Sequence, residues 1–286
     1  MKQQEYKVTG DIAQINRRRV GTMDREKEKQ AFAEYAASYD NGMVEVRLKI
    51  DHTYRVAEIA ERIARSIGAD GDFAWYLGLL HDIGRFEQVT KYKTFRDADS
   101  VDHAEFGADL LFGPDDLIRK FPVPEVKVDH GTLRPEETLK IAETAIRMHN
   151  KLTVPEELDA VTKMYCHILR DADKVDIFRV IMEPPYDERN RRTCLEAAPA
   201  GEEIMVGVYE HRCLPRTIVK NRFEGDLGQC CMAFELVYKE SIVIAKEQGY
   251  VEQLINLPAE NEQVREQMAC LRSELHKVWG GQGMIQ

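Results

Sequence analysis

A chain of 286 residues, 43% hydrophobic and 31% charged, is long enough to bury a substantial core, which excludes a disordered, fibrous or disulfide-stapled small protein. Fifty acidic against forty basic residues give a formal charge of -10, so long nucleic acid is not expected as a partner. No run approaches the roughly 18 to 20 apolar residues of a membrane helix, the start MKQQEYKVTGDIAQ lacks an apolar signal core, and the six cysteines form no C-x-x-C pair. The expectation is a cytoplasmic protein with ordinary thiols and no membrane association.

Apolar residues recur at spacings of three and four over most of the length, which predicts an all-α fold. The first residues are polar, with an Arg17-Arg18-Arg19 cluster, and a helix is expected from about Asp24 to Tyr39, stopped at Asp40-Asn41-Gly42. Val56, Ile59, Ala60, Ile63, Ala64 and Ile67 form one stripe ended by Gly68, with His52 at its head. Phe73 to Asp82 (FAWYLGLLHD) is apolar nearly all round, a buried central helix that delivers His81 and Asp82 at its end. Ile83 to Ser100 is polar and reads as a loop across the mouth of a site, where Phe86, Glu87, Lys91, Tyr92, Phe95, Arg96 and Asp99 either border the site or only pack over the bundle. Helices follow at about Val101–Phe112 and Glu136–Asn150, and another is opened by Pro155 and runs towards Phe178 until Pro184-Pro185 stops it. Beyond the charged DERNRR segment, Leu227–Ala245 and Val251–Val278 are helical candidates. The division expected is an arm and helix over 1–44, a helical core over 45–185 and a helical extension over 186–286 packed on the core.

Four histidines and two aspartates stand out on these helices or their ends: His52, His81-Asp82, His103, His149 and Asp173. Packed helices can aim such residues into one interior point, as in carboxylate-bridged metal sites. A His-Asp pair closing an apolar helix needs a cationic partner, because an unpaired carboxylate in a dry interior costs several kcal/mol. Imidazole with carboxylate suits Mn, Fe, Co, Ni or Zn.

His52, His81-Asp82 and Asp173, in that order, resemble the H...HD...D signature of the HD-domain superfamily of metal-dependent phosphohydrolases, a likeness that covers roughly Arg47 to Asp176. The resemblance implies a helical bundle in which these four residues ligate a divalent metal. HDIGR, H-x-x-x-G and a later histidine are similar to the two-metal members, in which His103 and His149 would hold a second ion and Asp82 would bridge the pair. The cyclic-dinucleotide phosphodiesterases of the superfamily carry a second histidine and a GYP tripeptide where this chain reads MHNKLTVPEEL, and single-metal nucleotidases often place a glutamate where Arg85 stands. The pattern selects Asp173 over Asp171, which is left as a supporting or helix-surface group, and puts Lys174 near a substrate phosphate. Asp176 either orients a ligand histidine or makes a surface ion pair.

The expectation is therefore a phosphohydrolase that uses one or two divalent ions on a phosphoester in a small nucleotide or related metabolite. Asp82, Arg85 and Lys174 are its candidate catalytic residues, with Lys49 and Arg47 as weaker phosphate contacts. A phosphodiesterase or nuclease for cyclic or short oligonucleotides and a non-catalytic metal or nucleotide sensor stay open, as does association into a homo-oligomer.

Overall fold

A computed structural model describes residues 23–128, 131–183, 193–196 and 198–281. Arg17–Arg19, Pro184-Pro185 and the DERNRR segment lie outside them. The described chain is helical apart from connecting loops, short 3-10 turns and one two-residue antiparallel ladder, β1 (Lys127–Val128) with β2 (Gly131–Thr132). Among the described residues no helix is long and apolar enough to cross a membrane.

Helix α1 (Arg25–Ala36) starts where the Asp24 side chain accepts the Lys27 N–H, and the chain turns at Asp40, whose carboxylate accepts the Gly42 N–H. Helix α2 (Val44–Ser66) begins two turns before His52, so the buried stripe expected to start at His52 extends upstream of it to Val46. The polar stretch Arg47 to Asp51 hides this upstream half from a periodicity reading, although Val46 is buried. Gly68, at φ 75°, then takes the left-handed conformation. Helix α3 (Gly71–Leu80) is capped by Asp70 and buried on nearly every side. It lies against α2 at Gly78, where a β-carbon would stand 2.5 Å from Ala57 Cα.

The expected loop from Ile83 to Ser100 is a helix over most of its length, α4 (Ile83–Tyr92), and only Lys93 to Asp102 connects. Ile83, Phe86 and Val89 form its buried stripe, and Phe86 meets Phe32 and Tyr35 of α1 edge-on at 5.8 and 5.7 Å. Arg85, Glu87 and Lys91, interspersed with that stripe, make the segment read as polar. Helix α5 (His103–Phe112) follows under an Asp102 cap, and α6 is Pro135–Met148. Helix α7 (Ala160–Met182) starts at Asp159, whose carboxylate accepts the Val161 and Thr162 N–H groups; Pro155 stands in a turn before it and does not open it.

The C-terminal region is more broken than its apolar content suggests. It contains α8 (Glu202–Tyr209), which the sequence reading lacks, then α9 (Arg222–Cys231), a 3-10 turn at Met232–Glu235, α10 (Lys239–Gln248), α11 (Tyr250–Ile255) and α12 (Glu262–Gly281). This region meets the outer face of α7 through Asp171, which accepts the Val237 and Tyr238 N–H groups at 2.9 and 3.0 Å and the Ser241 hydroxyl at 2.6 Å. Asp171 is thus a buried link to α10, neither a helix-surface group nor a support for the histidines.

One buried acid on α1 has a pH consequence. Glu28 is 1% exposed with its Oε2 unpartnered, and burial, helped by Asp24, pushes its carboxyl up from 4.5 to about 7. Below pH 4.5 the group is neutral folded or unfolded and costs nothing. Between 4.5 and 7 the unfolded chain loses the proton first, so stability falls as pH rises, and above 7 the full penalty remains. Glu28→Gln is expected to stabilise the protein by about 2 kcal/mol at pH 8, after allowance for residual solvation, and by nothing at pH 4. Urea denaturation of variant and parent at pH 4, 6 and 8 reads the difference; a gain independent of pH would contradict the assignment.

Candidate metal centre

The buried core brings the four histidines and two aspartates to one point. His52 comes from the third turn of α2, and Asp173 from the middle of α7. His81 and Asp82 occupy the break between α3 and α4, where Asp82 sits at the N-cap without capping the helix, which leaves both carboxylate oxygens for the interior. His103 opens α5 and His149 closes α6.

Asp82 lies between two histidine pairs. Its Oδ2 is 3.5 Å from His52 Nε2 and 3.3 Å from His81 Nε2, and its Oδ1 is 3.6 Å from His103 Nε2 and 3.8 Å from His149 Nε2. Asp173 Oδ1 adds a second carboxylate to the first pair, 3.1 Å from His52 and 3.7 Å from His81.

The other ring nitrogens are all engaged. His52 Nδ1 meets Asp176 Oδ2, His103 Nδ1 meets Asp97 Oδ2, His81 Nδ1 meets the Gly78 carbonyl and His149 Nδ1 the Ile146 carbonyl, each at 2.7 Å. A proton on Nδ1 satisfies every one of these contacts and turns the lone pair of each Nε2 inward, the tautomer a metal ligand needs. His52 Nε2 and His81 Nε2 are buried and make no hydrogen bond despite the nearby carboxylates. The Nε2 atoms of His103 and His149 face each other at 3.0 Å, where two lone pairs repel unless a cation or a proton stands between them. His52, His81 and Asp173, and likewise His81, Asp82 and His149, offer atoms within 4.8 Å of one another, close enough to share an ion. The donor set therefore fits divalent metal.

Without a bound cation, burial would lower His81, but Asp82 and Asp173 overcome it and push the ring up to about 10, so its Nε2 carries a proton that a metal ion would replace. Burial alone would raise Asp82, but Lys49, His81 and Arg85 outweigh it and hold the carboxyl well below the usual range. Asp173 is likewise held well below that range against burial, by His52 and His81. Burial, with repulsion from His103 and His81, drives His149 down to about 3, and burial lowers His103 as well, so this pair is neutral near pH 7.

Asp176 stands against a histidine, and its ion pair is a buried one rather than a surface one. It is buried, contacts His52, and accepts two bonds from the Arg55 guanidinium at 2.6 and 2.9 Å. Arg85 lies at the rim, its Nη1 donating to Gln88, to the Phe95 carbonyl and to Asp97, with Nε 3.6 Å from Asp82 Oδ1. Lys174 is turned to Glu235, 2.5 Å away, and Arg47 to the Asn41 and Gly42 carbonyls. Of the residues for which both places stayed open, Phe95 borders the site and Phe86 belongs to the core.

Asp97, missed in the sequence, holds His103 and also accepts from Arg85, Gln88 and Asn150. It lies in the connector, where no periodicity marks it. Arg170, also missed, donates to the Met148, Lys151 and Leu152 carbonyls and so fixes the chain on both sides of His149. Asp97→Ala is expected to weaken divalent-ion binding about 10- to 100-fold, the usual effect of removing the partner of a ligand histidine. Calorimetric titration with Mn would detect it, and an unaltered isotherm would remove His103 from the ligand set.

An all-α bundle that gathers histidines and aspartates from five helices around a shared carboxylate defines a class of metal-binding helical proteins. Within that class, residues 50–177 match the HD domain family, so this stretch of the chain is an HD domain. The match covers less than half of the chain, and the family it meets is one of metal-dependent phosphohydrolases. Comparison with curated proteins and with solved structures returned no match.

Proposed function

We propose that the protein hydrolyses a phosphoester in a small nucleotide or related phosphorylated metabolite, with one or two ions of Mn, Fe, Co, Ni or Zn held by His52, His81, Asp82, His103, His149 and Asp173. The observation that carries this reading is the single carboxylate of Asp82 with one oxygen towards each of two histidine pairs. When bound, divalent ions at such a centre neutralise phosphoryl oxygens and make a bound water acidic enough to ionise near neutrality.

The chain's own residues supply the rest. Asp176 and Asp97 fix the tautomers of His52 and His103. Arg85, anchored at Nη1 by three acceptors, has a buried Nε without a hydrogen-bond partner at the rim, suited to a phosphoryl oxygen. Lys174 would have to exchange Glu235 for a substrate oxygen to take part. No acidic side chain stands at the position of Arg85, so a water-activating role for a side chain is not required of it.

The test is elemental analysis of protein purified without added metal, followed by assay with Mn on mononucleotides, a dinucleotide, a cyclic dinucleotide and single-stranded DNA. Release of phosphate from mononucleotides, abolished by chelation and restored by metal, is expected. Turnover confined to diesters would favour the phosphodiesterase alternative, and bound metal without any turnover would favour a sensor.

A further inference from the structure

We propose that Lys49, with Arg85 and the Phe95 ring, forms a seat for a dianionic terminal phosphate beside Asp82, the part the signature motif assigns to Lys174. This deepens the phosphohydrolase reading and rests on it.

Lys49 stands three residues before His52 on α2, so its side chain reaches the same interior point. Its side chain is 12% exposed, and its Nζ lies 2.5 Å from Asp82 Oδ2, the oxygen that also faces His52 and His81. Arg85 approaches Oδ1 of the same carboxylate. Both cations also lie over one aromatic ring: Lys49 Nζ is 5.4 Å and the Arg85 guanidinium carbon 5.6 Å from the centre of Phe95. Phe95 is itself fixed, because its carbonyl accepts from Arg85 Nη1 at 2.7 Å. The result is two positive groups held apart by a ring, one at each oxygen of a single carboxylate.

One carboxylate cannot satisfy both cations once His52 and His81 draw a divalent ion towards Oδ2. Lys49 must then leave that oxygen, and the release of a nearly buried ammonium is favourable only if an anion arrives. Two cations flanking one position match the two charges of a phosphomonoester better than the single charge of a diester. Lys174 lacks this freedom: Glu235 holds it, and the Cys213 N–H fixes the other Glu235 oxygen at 2.8 Å.

The variants Lys49→Met, Lys49→Arg and Phe95→Leu separate this role from a purely structural one. Two titrations are read, Mn into the metal-free protein and inorganic phosphate into the Mn-loaded protein. Lys49→Met is expected to bind Mn at least as tightly as the parent, since a competing cation is gone, and to bind phosphate about 10- to 100-fold more weakly. Lys49→Arg should restore most of the phosphate affinity, and Phe95→Leu should reduce it by less, about threefold. With Lys49→Met, kcat/KM should fall further on a phosphomonoester than on a phosphodiester. Unchanged phosphate affinity together with weaker Mn binding would overturn the proposal and leave Lys49 as a counter-ion of Asp82. Should Lys49→Met not fold, Lys49→Gln serves the same comparison. Parent protein that binds phosphate through Lys49 but turns over no phosphoester would defeat the phosphohydrolase reading and leave the seat standing.

Discussion

Asp82→Ala is expected to abolish metal-dependent hydrolysis and to lower divalent-ion affinity by more than about 1,000-fold. Loss of a partner to one ligand usually costs 10- to 100-fold, whereas Asp82 stands within 4 Å of all four inward imidazole nitrogens and is the carboxylate common to both histidine pairs. The metal-free protein should also suffer. Arg85 would keep Asp97, but Lys49, 2.5 Å from the lost carboxylate, would keep its charge in a nearly buried setting without that partner, and stranding one side of a buried ion pair typically costs about 3 to 5 kcal/mol. Asp82→Asn keeps the shape and removes the charge, so it separates a packing defect from an electrostatic one. Metal content by elemental analysis and thermal unfolding with and without Mn are the measurements. Asp82→Ala protein that retained its full metal complement and activity would end the proposed centre.

Gly84→Ala is expected to damage the site without replacing a candidate ligand. A β-carbon at Gly84 would stand 2.4 Å from the His103 carbonyl oxygen and 2.7 Å from Gly107 N, both backbone atoms that cannot rotate away. Helices α4 and α5 would have to separate, and α4 begins next to Asp82 while α5 begins with His103. Overpacking of this kind costs about 1 to 3 kcal/mol, and a displacement near 1 Å between catalytic groups can cost about 100-fold in rate. The expected signature is a lowered melting temperature, weaker Mn binding and a fall in kcat. A Gly84→Ala protein that melts and binds Mn as the parent does would show that the two helices are not held at contact distance.

Much of the helical framework was legible because its cause is local. The stripe from Val56 to Ile67, the apolar run from Phe73 to Leu80 and the helix start at Asp24 are set by periodicity and by short-range hydrogen bonds. Reading failed where a sparse buried stripe underlies a charged face, as in α4, and where apolar C-terminal segments are broken by turns at Met232–Glu235 and around Pro258. The histidines and aspartates that the structure gathers could be named from residue type and helical position. Their partners could not: Asp97 and Phe95 come from a connector without a pattern, and Glu235 pairs with Lys174 from 61 residues away.

The sequence by itself determined that the chain would be helical and which imidazoles and carboxylates it had to place inside, because helix formation and burial depend on neighbours within a few residues. Which nitrogen of each ring turns inward, which oxygen of Asp82 faces which pair, and that Lys49 rather than Lys174 stands at that carboxylate were decided by tertiary packing. Those choices depend on distances between helices that no spacing along the chain encodes.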